Sequence, residues 1–192
     1  MIPIHTQRLL LYIARLALIC ALSLFLVNLI TSIITQNRER QDQQYSFSKL
    51  LPLATSFVPY AKDRTLENAN IIIGWDHAHK KIGYIIRSTG HGYGGPIKLL
   101  VGISGSKVTN IQILSHVETA GMGSLIAHSE PMAGRSFTFQ GQFSNKSIFD
   151  RFSTHEDILT LSGATISSQG VGDGILDAIK LYRRLENVQY ED

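Results

Sequence analysis

The chain has 192 residues, room for one ordinary domain and an appendage, and its 44% hydrophobic and 17% charged residues exclude disorder as the default state. A net charge of +3 with no long Lys/Arg run argues against nucleic acid as a partner. Cys20 is the single cysteine, which excludes an intrachain disulfide, a cysteine-ligated zinc site and an iron–sulfur cluster held by this chain.

Leu16 to Ile34 carries no charge, and only Ser23, Asn28, Thr31 and Ser32 interrupt its apolar character. That length matches the roughly twenty residues a helix needs to cross a bilayer. A cleaved signal peptide has a shorter apolar core and a small-x-small cleavage site. Here the core is long and runs into Thr35-Gln36-Asn37-Arg38-Glu39-Arg40, a polar interfacial stop. Residues 1–36 are therefore expected to be an N-terminal tip and uncleaved transmembrane anchor, with the span over residues 12–34. Basic residues flank both ends, Arg8 and Arg15 against Arg38, Arg40 and Lys49, so charge does not set the orientation.

Residues 37–60 read as a tether and packing segment: polar to Gln44, then Phe47 to Tyr60 as a short helix or packed irregular stretch broken by Pro52 and Pro59. Residues 61–192 form the expected soluble domain. Ile71-Ile72-Ile73 is a buried-strand run, residues 76–81 a polar turn, and Ile82 to Ile86 the returning strand. A glycine-rich connection from Thr89 to Pro96 leads to a strand over Ile97 to Ile103. A turn at residues 104–107 leads to another over Val108 to Leu114. Such short connections require antiparallel neighbours. Gly123 to Ile126 opens a short helix, and Phe137 to Phe149 is too mixed to assign. A final helix is expected from near Ser167, with Val171, Ile175, Ala178, Ile179 and Tyr182 on one apolar face. The fold class is α+β, a largely antiparallel sheet with a C-terminal helix behind an N-terminal membrane helix.

Candidate chemistry is sparse. His77 and His79 share one strand face but sit in a lysine-flanked turn, the remaining histidines have no ligand spacing, and no metal site is expected. There is no G-x-S-x-G elbow or Walker sequence, and Gly170-Val171-Gly172-Asp173-Gly174 lacks the spacing and setting of a dinucleotide turn. Three alternating glycines make a poor helix start, at about 1 kcal/mol each relative to alanine. Close approach of a backbone or flat ligand explains them; so does a frayed first turn. Just upstream, Leu161-Ser162-Gly163-Ala164-Thr165-Ile166-Ser167-Ser168 places small and hydroxyl residues where a helix begins. That setting suits a phosphate, and it equally suits an ordinary Ser/Thr cap.

Ser162-Gly163-Ala164-Thr165 resembles the flavinylation sequence of the FMN-binding domain family. That family is shared by the G subunit of the Rnf-type electron transport complex and the C subunit of the sodium-pumping NADH:quinone reductase. Two further blocks are similar to it: Gly92-Tyr93-Gly94-Gly95-Pro96-Ile97, and His116-Val117-Glu118-Thr119-Ala120-Gly121-Met122-Gly123. The second matches an H-x-E-T-P-G-L-G loop with Ala120 for proline and Met122 for leucine. The Rnf-type G subunit is the better match because the chain is short. Where the family has an acid six positions before the acceptor threonine this chain has Leu159, with Asp157 two residues earlier.

The resemblance implies covalent FMN, joined by a phosphoester to Thr165 and installed by a flavin transferase that uses FAD. It implies cofactor contacts from Ser162, Gly163, Ala164, Ile166, Glu118 and Thr119, and no catalytic residue, because a redox subunit turns over no substrate of its own. It further implies a single-pass protein of the bacterial inner membrane with a cytoplasmic tip and a periplasmic domain. Its partners would be membrane lipid and the other subunits of an ion-translocating complex. An unflavinylated assembly subunit and a stand-alone anchored FMN carrier are the competing expectations.

Overall fold

A computed structural model describes residues 44–60, 70–128, 131, 134 and 136–186, with residues 15, 18, 20–22 and 25 of the N-terminal region. The chain divides into two units, Met1–Tyr45 and Ser46–Asp192. In the first, the described residues are helical and exposed, Leu18, Leu22 and Phe25 among them. Among the described residues no helix is long and apolar enough to cross a membrane, and most of the expected span over residues 12–34 lies outside them.

The second unit is built on five antiparallel strands in sequential order, β1 (Ser56–Pro59), β2 (Ile71–Trp75), β3 (Lys81–His91), β4 (Pro96–Ser104) and β5 (Lys107–Ser115). The antiparallel sheet expected from the short connections is therefore present. Alternation along the strands feeds two cores. On one face, Phe47, Leu50, Leu51 and Ala54 cover Ile72, Ile85 and Leu100. On the other, Tyr84, Ile86, Ile97, Leu99, Val101 and Ile103 meet the C-terminal helix (Thr165–Glu186) and the aromatic side chains Phe139, Phe143 and Phe152. That helix buries Val171, Ile175, Ala178, Ile179 and Tyr182, the face its periodicity marked. Burying each large aliphatic side chain is worth roughly 1.5–3 kcal/mol.

Three boundaries differ from expectation. β1 falls inside the packing segment; it is a four-residue edge strand whose pairing with β2, Ser56 to Trp75 through Pro59 to Ile72, decides its conformation. β3 runs on through Thr89, Gly90 and His91, which pair with Lys98, Ile97 and Pro96, so the connection shrinks to a tight turn closed by Gly92 N–H to the Gly95 carbonyl at 2.8 Å. The helix starts at Thr165, two residues early.

The glycines at the helix start have a packing cause. A Cβ on Gly90 would lie 1.7 Å from the Gly170 carbonyl oxygen, and one on Gly170 would lie 2.4 Å from that of His91. The helix backbone thus rests directly on β3, and Gly170, Gly172 and Gly174 are buried. Close backbone approach, rather than fraying, accounts for them. The same contact delivers the first turn of the helix to the end of the β3–β4 hairpin.

Candidate functional site

The segment before the helix folds on itself. Gly163 has φ of 75°, a left-handed conformation that favours glycine. The turn closes by Ala164 N–H to the Leu161 carbonyl at 2.9 Å. Ser168 then stitches turn to helix: its hydroxyl donates to the Ala164 carbonyl at 2.9 Å and accepts from Leu161 N–H at 3.2 Å. The residue just before the helix is Ala164, which has no side-chain oxygen, so the ordinary Ser/Thr cap does not form. Thr165 is the first helical residue and is exposed. Among the described residues its hydroxyl has no hydrogen-bond partner. The first intrahelical acceptor is the Ala164 carbonyl, taken by Ser168 N–H at 2.9 Å, so the amides of the preceding residues point out of the helix end.

A cavity of about 500 Å³ opens beside this turn, within the usual range for small-molecule sites. Thr165, Ile166, Ala164 and Gly163 form one wall, Glu118 and Thr119 come from the loop after β5, and Tyr93 comes from the β3–β4 turn. Six of the seven residues expected at a site therefore share one cavity; Ser162 is outside its lining. Tyr93, Met122, Gly123 and Ser167 also line it and were not singled out. The first three sat within the sequence blocks around Tyr93 and Glu118, which was the available signal. Ser167 had none beyond its place at the helix start.

Glu118 ties the elements together. It is 9% exposed, its Oε1 accepts from Gly94 N–H at 3.0 Å, and its Oε2 accepts from the Ser167 hydroxyl at 2.5 Å. Glycines cradle it: a Cβ on Gly92 would meet Oε1 at 2.2 Å, and one on Gly123 would meet Oε2 at 2.6 Å. One carboxylate thus joins the hairpin turn, its own loop and the helix. The cavity also has an exposed apolar lining, with Tyr93 77%, Met122 56% and Ile166 56% exposed.

Thr165 and Ile166 also line a second cavity of about 450 Å³, together with His91, His155, Gln169 and Asp173. Leu159, at the position where the resemblance implies an acid, is partly exposed. Its N–H donates to Gln142 Oε1 at 2.7 Å and its carbonyl accepts from Gln142 Nε2 at 3.1 Å. Asp157 is engaged elsewhere: it accepts from Phe152 and Ser153 N–H at 3.1 and 2.7 Å and pairs with Lys146 at 3.5 Å. His77 and His79 lie on an exposed turn held by Asp76 and take no part in either cavity.

The donor set fits a flavin mononucleotide in kind: a free hydroxyl and outward amides for a phosphate, and apolar side chains among polar ones for a flat ring system. The five-stranded antiparallel sheet with its C-terminal helix fits an FMN-binding domain, and the model of the FMN-binding domain family matches residues 92–180, which hold all three site segments. The chain is 32% identical over 149 residues to the G subunit of the ion-translocating oxidoreductase complex of Methanosarcina acetivorans, covering 73% of this chain and 75% of that protein. It is 30% identical over 184 residues to the protein of the same name from Cereibacter sphaeroides, covering 88% and 80%. Among solved structures, Shewanella oneidensis NqrC aligns at 16% identity with a TM-score of 0.49 over 74% of this chain and 73% of that one. The chain belongs to the family of G subunits of ion-translocating oxidoreductase complexes.

Proposed function

We propose that this chain is a membrane-anchored flavoprotein subunit that relays electrons within an ion-translocating electron transport complex, through FMN held as a phosphoester on Thr165. The observation that carries the reading is the Thr165 hydroxyl: exposed, relieved of capping, and on the wall of a cavity of flavin size. Membership of the G-subunit family supports the redox role and the other members of the complex as partners.

Thr165 would hold FMN through its side-chain oxygen as a phosphoester; with FAD as donor, AMP would be the leaving group and the hydroxyl proton would pass to the transferase or solvent. The outward amides of Ile166 and Ser167 favour the phosphate charge at the helix N-terminus. Tyr93, Met122 and Ile166 supply apolar surface, while Glu118, Thr119, Gly123, Gly163, Ala164 and Ser167 form the rest of the wall around Thr165. Bound there, FMN supplies reversible one- and two-electron transfer, and the protein contributes position and electrostatics.

The uncharged run from Leu16 to Ile34, with exposed Leu18, Leu22 and Phe25 at helical spacing, supports a single anchor in the lipid of the bacterial inner membrane. The domain is assigned to the periplasmic side on the family resemblance. Intact mass of the chain coexpressed with a flavin transferase tests the function. Wild type should gain the mass of an FMN phosphoester and fluoresce on a denaturing gel, and Thr165→Ala should do neither. Equal masses would overturn the assignment and favour an unflavinylated assembly role, to which Leu159 at the acidic position lends support.

A further inference from the structure

Glu118 is the one buried acid among the described residues. Both of its oxygens accept hydrogen bonds, and both donors, the Gly94 amide and the Ser167 hydroxyl, are neutral. Among the described residues no lysine or arginine pairs with it. The contact between Glu118 and His116 is to the backbone and not to the carboxylate: Glu118 N–H donates to His116 Nδ1 at 3.3 Å. Neutral donors stabilise a carboxylate without cancelling its charge. A buried charge without a counter-ion is costly, and where a fold retains one beside a cavity it acts on whatever occupies that cavity.

We infer that Glu118 sets the reduction potential of the bound flavin, holding it low by placing a fixed negative charge against the cavity; this rests on the flavin reading of the site. Each electron entering the ring adds one negative charge unless one proton follows it from solvent. A carboxylate on the wall opposes the uncompensated gain. Burial strengthens that opposition, because field lines run through protein rather than water. The Ser167 hydroxyl tempers it by drawing carboxylate charge into a short hydrogen bond. Glu118 is thus a tuning residue as well as the clasp between hairpin and helix.

Spectroelectrochemical titration of the full chain, coexpressed with a flavin transferase, reads the effect. Intact mass establishes flavin loading first, and circular dichroism establishes folding. Glu118→Gln keeps shape and hydrogen-bonding capacity but removes the charge. Its potential should rise by at least a tenfold shift in the reduction equilibrium, about 30 mV for the two-electron couple. Ser167→Ala removes the tempering donor and should move the potential the other way. A merely structural role would shift both variants in one direction. Loaded Glu118→Gln at the wild-type potential, or both variants shifted alike, would overturn the inference. If Glu118→Gln does not fold, Ser167→Ala decides, and an unchanged potential there overturns it. A wild type without covalent flavin instead removes the functional reading on which it rests.

Discussion

Replacing Gly170 with alanine tests the central packing contact. In an unobstructed helix interior the change gains about 1 kcal/mol, because glycine is the poorer helix former. Here the new methyl would sit 2.4 Å from the His91 carbonyl oxygen and 3.0 Å from Gly92 N, both backbone atoms of the strand and turn beneath. Neither can rotate away as a side chain would, so the helix must lift from β3 by about an ångström. Overpacking of a well-filled interior costs about 1–3 kcal/mol, and a backbone obstruction belongs at the upper end. The net expectation is a loss of about 1–2 kcal/mol. For a chain of this size each kcal/mol moves the melting temperature by about 2–4 °C. Thermal melts of full-length wild type and Gly170→Ala in the same detergent, followed by circular dichroism, measure the difference. A melting temperature equal to or above wild type would refute the reasoning, since it would mean that helix propensity outweighs the contact.

Two further expectations concern other parts of the fold. At the far end of the helix, Lys81 pairs with Glu186, and the Tyr84 hydroxyl donates to the same carboxylate at 2.6 Å. The Lys81 hydrogen bond, then that of Tyr84, holds Glu186 below its ordinary value of 4.5, so its stabilisation is present above that value and fades as pH falls through the lowered one. Lys81 is raised above 10.5, by Glu186 first, and contributes fully below that value and loses its part as pH rises through the raised one. Both side chains are partly exposed, so the effect is at most about 1 kcal/mol. Glu186→Gln should flatten both the acid and alkaline limbs of a plot of melting temperature against pH, and identical limbs would count against the pairing. Leu159→Asp restores the acid at the family's position on a loop whose backbone is already held by Gln142. In-gel flavin fluorescence per protein should rise on coexpression with the transferase, with little change in melting temperature; unchanged fluorescence would show that Leu159 does not limit the modification.

β2 through β5 were legible in the sequence because their apolar residues alternate or run together between strong turn signals. The helix was legible because Val171, Ile175, Ala178, Ile179 and Tyr182 recur at its period. β1 was not, since four residues beside two prolines carry no period and owe their extended shape to hydrogen bonds from β2. Nor was the helix start: Ser167 and Ser168 are good capping residue types, yet the turn centred on Gly163 places Ala164 ahead of the helix and turns Ser168 back onto it. The pairing of Glu118 with Ser167, 49 residues apart, left no local trace.

The sequence by itself determined β2 through β5, their antiparallel order, the buried face of the last helix and the family, since these follow from residue periodicity, short connections and ordered motifs. Only the tertiary structure decided why the glycines alternate, what becomes of the Thr165 hydroxyl, and which residues share a cavity with it. Those outcomes depend on the distance between a strand and a helix separated along the chain by some eighty residues (Gly90 against Gly170). Propensity and pattern describe a segment against water or a generic interior. They do not contain the close backbone contact that sets the first turn of this helix beside Glu118.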